Sequence, residues 1–279
     1  MNDSIKVVKA SGLTENYDEK KLSFSLHQAR VPIAMVNQTL SYISSRVKDS
    51  LTTQEIHELV RIYLEQNGLG LEAINYDLKR AVMRLGPSGF PFEKYIARIL
   101  NQNGFQTEVG VVVSGRCVNH EVDIDAQKEN QHYLIECKFH NTPGNKTDVQ
   151  VALYTYARFL DIRAAITEQV HHAQFHQAWL ITNTKVTKDA VDYAKCLNMH
   201  LVSWTYPHQG NLREMIISSG LYPITSLDLS LPQQQSLTTR GIVVCQDLLD
   251  AFKQERVSDI ISQEQEKWLL NQCQKLLSV

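Results

Sequence analysis

The chain has 279 residues, with 28 lysines and arginines against 30 aspartates and glutamates and a formal net charge of −2. That length accommodates two modest domains, and the near-neutral charge excludes a generally basic nucleic-acid coat, so any DNA contact must come from a local patch. Five scattered cysteines without zinc spacing, a polar opening MNDSIKVVKA and no apolar run near the ~20 residues of a membrane helix lead us to expect a cytoplasmic protein with reduced thiols and no membrane partner.

In chain order, Ile5 to Lys9 reads as a short strand, and a Ser11-Gly12 turn leads to a second extended piece. Asp18 is placed to cap a helix from Glu19, with Leu22, Leu26 and Ala29 at helical spacing. Pro32 opens a helix to about Val47, and Thr52 or Thr53 caps a third that ends at Gly68 and Gly70. A fourth helix spans about Leu71 to Leu85. Gly86-Pro87-Ser88-Gly89 is the clearest break. The pattern then changes to a helix from Pro91 to Asn103 and strands near Phe105–Ser114, Cys117–Ala126 and Tyr133–Phe139. A helix over Asp148–Leu160, a buried strand at Trp179–Thr182, a helix over Thr187–Leu197 and a strand at His200–Trp204 follow. From Leu212 the pattern is helical, with a turn at Gly241. The expected fold is a multidomain α/β chain: a small β-hairpin with helices over residues 1–88, an α/β sheet domain over 89–210, and a helical segment over 211–279.

The chemistry concentrates in Glu136-Cys137-Lys138, which closes the apolar run Tyr133-Leu134-Ile135 just after His120-Glu121-Val122-Asp123-Ile124-Asp125. Strand alternation puts Glu136 and Lys138 on one face, and Glu121, Asp123 and Asp125 on one face of the preceding strand. If these strands pair, carboxylates and a lysine converge. Carboxylates and water are the ligands Mg²⁺ prefers, and a lysine beside them steadies negative charge on a phosphate. A surface strand carrying a Glu and a Lys is the plain alternative.

Residues 90–204 resemble the restriction-endonuclease-like PD-(D/E)xK fold, most closely its Mrr-type branch. The resemblance lies in PFEKYIARILNQNGF, HEVDID, YLIECKF and WLITNTKVTKDAVDYAKCLNMHLVSW, in that order. It implies metal ligation by Asp123 and Glu136, with Glu93 near the metal, Lys138 as the catalytic lysine, and Mg²⁺ or Mn²⁺ as the cofactor. Glu121 stands where Mrr-type sequences often have glycine, which makes it a candidate extra ligand or a residue that alters how DNA approaches.

Residues 5–85 resemble the ATP-cone, a nucleotide-sensing module, through VVKASGLTENYDEKKLSFSLHQA, TTQEIHELV and INYDLKRAVMRLG. That resemblance implies a site for ATP or dATP lined by Val8, Lys9, Glu15, Lys21, Thr53 and His57. Ala10 and Ser11 replace the Arg and Asp of the usual V-x-K-R-D-G opening and remove a fork-shaped phosphate donor. The Walker pattern is absent, so sensing is expected rather than fast hydrolysis.

Together these readings imply a nucleotide-regulated, Mg²⁺-dependent endodeoxyribonuclease. Its partners would be DNA and adenine nucleotide, and cutting both strands implies a homodimer or higher homo-oligomer. Two alternatives stand beside it: an inactive nucleotide-dependent DNA-binding or assembly regulator, and a branched-DNA junction resolvase. His120 is a usable proton carrier, His171-His172 with His176 is a loose histidine group, and Lys185 and Lys188 are candidate backbone contacts that a solvated helix start explains equally well.

Overall fold

The structure, a computed structural model, describes residues 5–9, 12–142, 144–166 and 175–277. It divides into two units, Met1–Leu78 and Lys79–Val279, with the division falling within one helix. Ala10, Ser11 and the His171-His172 pair lie outside the described residues.

The first unit starts with an antiparallel hairpin of β1 (Lys6–Val8) and β2 (Thr14–Asn16). Helices α1 (Glu19–Gln28), α2 (Ile33–Ser44) and α3 (Thr53–Gln66) follow, and α4 (Gly70–Met83) crosses into the second unit. The boundaries follow from local chemistry. Asp18 accepts the Lys20 amide at the start of α1, and Thr52 forms a capping box with Glu55 at the start of α3. Pro32 sits at the cap of α2, one residue earlier than a first-turn proline. Val7, Leu22, Leu26, Val36, Ile43, Val60 and Leu64 form the core on their helical stripes.

The second unit holds a five-stranded sheet in the order β3-β4-β5-β7-β9. These are β3 (Gln106–Ser114), β4 (Asn119–Lys128), β5 (Gln131–Lys138), β7 (Phe175–Thr182) and β9 (His200–Val202). The first three run antiparallel, and β5, β7 and β9 run parallel. Two short strands, β6 (Lys146–Thr147) and β8 (Lys185–Val186), form a separate parallel pair. Helix α5 (Phe90–Gln102) packs on β3, β4 and β5, while α6 (Val149–Ile166) packs on β7 and on α7 (Lys188–Cys196). The core on the α6 side joins Leu134, Ala178 and Leu180 of the sheet to Ala152, Phe159 and Ile162 of α6. Each leucine, isoleucine or phenylalanine among them contributes roughly 1.5–3 kcal/mol when removed from water.

Four helices complete the chain: α8 (Leu212–Ser219), α9 (Leu231–Thr239), α10 (Cys245–Lys253) and α11 (Gln263–Leu277). They anchor to α5, where the buried Tyr95 hydroxyl donates to Leu221 O at 2.8 Å and Arg98 meets Asp247 at 2.8 Å. Gly241 takes a φ of +79° between α9 and α10, a turn that favours glycine. No described helix is long and apolar enough to cross a membrane.

Candidate active site

Strands β4 and β5 build an acidic centre. Val122, Ile124 and Ala126 are fully buried, which fixes the strand's roll and leaves Glu121, Asp123 and Asp125 on the alternate side. The ladder pairs Ile124 with Ile135. One step further in that register Asp123 stands across from Glu136. There Asp123 Oδ2 accepts the Cys137 backbone N–H at 2.7 Å, so a carboxylate takes over where the ladder ends.

Glu136 is only 7% exposed and both of its oxygens are engaged. The Tyr154 hydroxyl donates to Oε1 at 2.7 Å, and the Arg158 guanidinium donates to Oε2 at 2.6 Å. Tyr154 and Arg158 lie four residues apart on α6, which puts them on one helical face. Glu93 enters from the first turn of α5. Its flanking Phe92 and Ile96 are fully buried and set the roll of that helix.

The carboxylates feel one another. Burial, then the charges of Asp123, Glu121 and Glu136, pushes Glu93 up to about 7. Burial and the Glu136 charge push Asp123 up to about 6, against the Cys137 hydrogen bond and the Arg158 charge. Burial and the same carboxylates raise the Cys137 thiol well above its usual range. Lys138 ends β5 half-buried, and its ammonium makes no hydrogen bond or ion pair among the described residues. Burial, followed by the Lys138 charge, lowers the pKa of His140.

A hard divalent cation fits this donor set by chemistry. It is all carboxylate oxygen, it is partly buried, and its members repel one another. Among the described residues, however, no three His, Cys, Asp or Glu side chains form a ready-made metal cluster. Tyr154 and Arg158 hold Glu136, and the Cys137 amide holds one oxygen of Asp123.

The other candidates divide. Glu121 is exposed yet contributes its charge at Glu93. Asp125 pairs with His132 at 3.6 Å. His120 is a clamp, its Nε2 lying 2.7 Å from Asp161, whose carboxylate also accepts the Cys117 amide at 3.0 Å and closes the β3–β4 turn. The His176 ring accepts the His132 amide at 3.0 Å, and Lys188 pairs with Asp192 on its own helix. Sequence reasoning missed Tyr154 and Arg158. Their i, i+4 spacing was visible, but not the fact that this face covers Glu136.

In the first unit the hairpin brings the expected polar residues together. Lys9 and Lys21 both reach Glu15 Oε2, at 2.8 and 3.1 Å. The hydrogen bond from Lys9, and then that from Lys21, lowers the Glu15 pKa. Val8 donates its amide to Leu51 O at 2.9 Å and bridges Thr52, beside Thr53 at the start of α3. Further along α3, His57 Nε2 lies 2.8 Å from Asp77, and its ring stacks on Tyr76 at 4.5 Å.

The family matches fall within the second unit. The family described as restriction endonuclease matches residues 87–205, and the family described as AF1548-like, C-terminal, matches residues 222–277. An uncharacterized protein of Archaeoglobus fulgidus is 37% identical over 182 residues, which cover 65% of this chain and 99% of that protein. A solved crystal structure of a protein of unknown function, AF1548, is 34% identical with a TM-score of 0.57, covering 68% of this chain and 99% of that one.

Proposed function

The chain belongs to the AF1548-like family and carries a restriction-endonuclease domain over residues 87–205; on that premise we propose that it is a divalent-metal-dependent endodeoxyribonuclease regulated by adenine nucleotide. The observation that carries the reading is the crowding of Glu93, Asp123, Glu121 and Glu136, with Lys138 two residues beyond Glu136 on β5 and forming no ion pair among the described residues.

In this reading Asp123 and Glu136, with Glu93, hold Mg²⁺ or Mn²⁺. A bound divalent ion lowers the pKa of water and neutralises charge on a phosphate. The protein's own residues do the rest. Lys138 contacts a phosphate oxygen and stabilises the charge that grows as the phosphodiester is attacked. Tyr154 and Arg158 fix the Glu136 carboxylate from behind. Two copies acting together would cut both strands of a duplex. ATP or dATP would bind in the first unit at Val8, Lys9, Glu15, Lys21, Thr53 and His57, and would act by shifting activity or assembly rather than by joining the chemistry.

A second reading, a DNA-binding regulator without cleavage, draws on the engagement of both Glu136 oxygens. Nicking of supercoiled plasmid separates the two. The nuclease reading expects nicking in Mg²⁺ or Mn²⁺ that stops in EDTA and in Lys138→Ala. DNA binding with no nicking under any metal supports the regulator. Faster cutting of a four-way junction than of linear duplex would redirect the assignment to a junction resolvase.

A further inference from the structure

We propose that Lys79, Lys146 and Lys185 form a cationic track that grips the DNA sugar-phosphate backbone on its way to Lys138, an inference that rests on the nuclease reading above. Lys146 and Lys185 are registered partners in the parallel β6–β8 pair. Registered residues of neighbouring parallel strands project to the same side, about 4.8 Å apart at the backbone. Both lysines are exposed. Lys79, on α4, is half-buried, and the Lys185 charge adds to burial in lowering its pKa. Lys146 and Lys185 are thus set side by side by register, and Lys79 lies within electrostatic reach of Lys185.

Side-chain bonds tie this cluster to the catalytic lysine. Lys138 is the registered partner of Thr182 on β7. The buried Thr182 hydroxyl lies 2.9 Å from Thr147, the neighbour of Lys146, and 3.4 Å from Thr184, the neighbour of Lys185. His140, two residues beyond Lys138, joins the same network at 3.0 Å from Thr147. Lys146 and Lys185 therefore each lie one residue from a threonine bonded to Thr182 of β7, the registered partner of Lys138.

Among the described residues no carboxylate is ion-paired with the track. Asp148 accepts the Gln150 amide at the start of α6 at 3.0 Å, and Asp192 is taken by Lys188. Lys79, Lys138, Lys146 and Lys185 form no ion pair among the described residues. Like charges directly opposite each other across strands repel. A polyanion with closely spaced charges relieves that repulsion, and duplex DNA carries one negative charge per ~1.7 Å of axis. Lysines meet phosphates as point charges without reading bases, so the track predicts grip and orientation rather than sequence choice.

The test is fluorescence anisotropy of a labelled duplex with the full chain in EDTA, across a salt series. The Lys79→Ala/Lys146→Ala/Lys185→Ala protein is expected to bind at least tenfold more weakly at low salt. Its slope of log affinity against log salt should be shallower by roughly 0.9 per lysine. Lys146→Ala/Lys185→Ala, which spares the half-buried Lys79, should show about two thirds of that change. Lys188→Ala should bind as the parent does. Parental affinity and slope in the folded triple variant overturn the track; if the parent also nicks plasmid, the nuclease reading survives that failure. Lysine-dependent binding by a parent chain that never nicks upholds the track and rejects the nuclease reading. A parent with no DNA affinity overturns the track, and plasmid nicking in Mg²⁺ or Mn²⁺ then decides the nuclease reading by itself.

Discussion

Two charged clusters in this chain are built in opposite ways. In the first unit, Lys9 and Lys21 converge on Glu15, and His57 is held by Asp77, so each charge or dipole has a partner. In the second unit, Glu93, Asp123, Glu121 and Glu136 crowd together, and the largest forces on Glu93 are burial and the other carboxylates. A cluster that neutralises itself must exchange partners to take a ligand. One that repels itself gains free energy when a cation arrives. On the proposed reading, a metal would be stabilised most in the sheet domain, and a nucleotide phosphate at the hairpin would compete with Glu15 for two lysines.

The largest expected effect breaks the acidic cluster. Asp123→Asn, Glu136→Gln or Lys138→Ala should each lower plasmid cleavage by at least ~10²–10³-fold, the usual cost of removing a group that stabilises transition-state charge. Circular dichroism should be unchanged. Near-parental cleavage by folded Asp123→Asn and Lys138→Ala proteins would remove the assignment.

How much of this was legible in the sequence depended on period. The alternation of Glu121, Asp123 and Asp125 against Val122, Ile124 and Ala126 is a two-residue period long enough to read, and the ladder follows it. Asp18 was legible as a cap because it is a short polar side chain before an apolar stripe, and the Thr52-Thr53 pair placed the α3 cap to within one residue. Strands β6 and β8 were not legible, since two residues carry no period. Helix α6 runs on to Ile166 because Ile162 and Ala165 continue its buried stripe past the expected end at Leu160. The roles of Tyr154 and Arg158, and the electrostatic reach of Lys185 to Lys79, belong to tertiary packing between distant segments. The nuclease portion coincides with a family match over residues 87–205, whereas the nucleotide site rests on the resemblance of residues 5–85 alone.

A second change sharpens the contrast from inside the acidic cluster. Arg158→Ala leaves the nearly buried Glu136 carboxylate short of a donor, which should cost about 1–3 kcal/mol of unfolding free energy; Tyr154→Phe should cost about 1 kcal/mol. Urea denaturation measures both. Arg158→Ala at parental stability would show that the pair is not structural.

The paired cluster gives a smaller, conditional effect. Lys21→Ala should remove any change of cleavage rate or sedimentation produced by ATP or dATP, typically ~1–3 kcal/mol of coupling, while leaving basal cleavage intact. Identical rates and sedimentation of the parent chain with and without saturating nucleotide would show that no such coupling exists.

The smallest effect is one of pH. The bond to His120, then those to Cys117 and Val118, holds the Asp161 carboxyl down at about 2. A carboxyl lowered in the folded state stabilises above its unfolded value near 3.9, and that contribution is lost as pH falls from there towards 2. The gap in thermal midpoint between the parent and Asp161→Asn should therefore stay level from pH 7 to 5 and shrink below pH 4. A gap that grows on acidification would contradict the clamp.

The most direct measurement of the central contrast is Mn²⁺ binding to the full chain, followed by electron paramagnetic resonance of the free ion. The account predicts binding by the parent protein, affinity at least tenfold weaker in Asp123→Asn, and no change in Lys9→Ala. Equal Mn²⁺ affinity in the parent and Asp123→Asn proteins would contradict it.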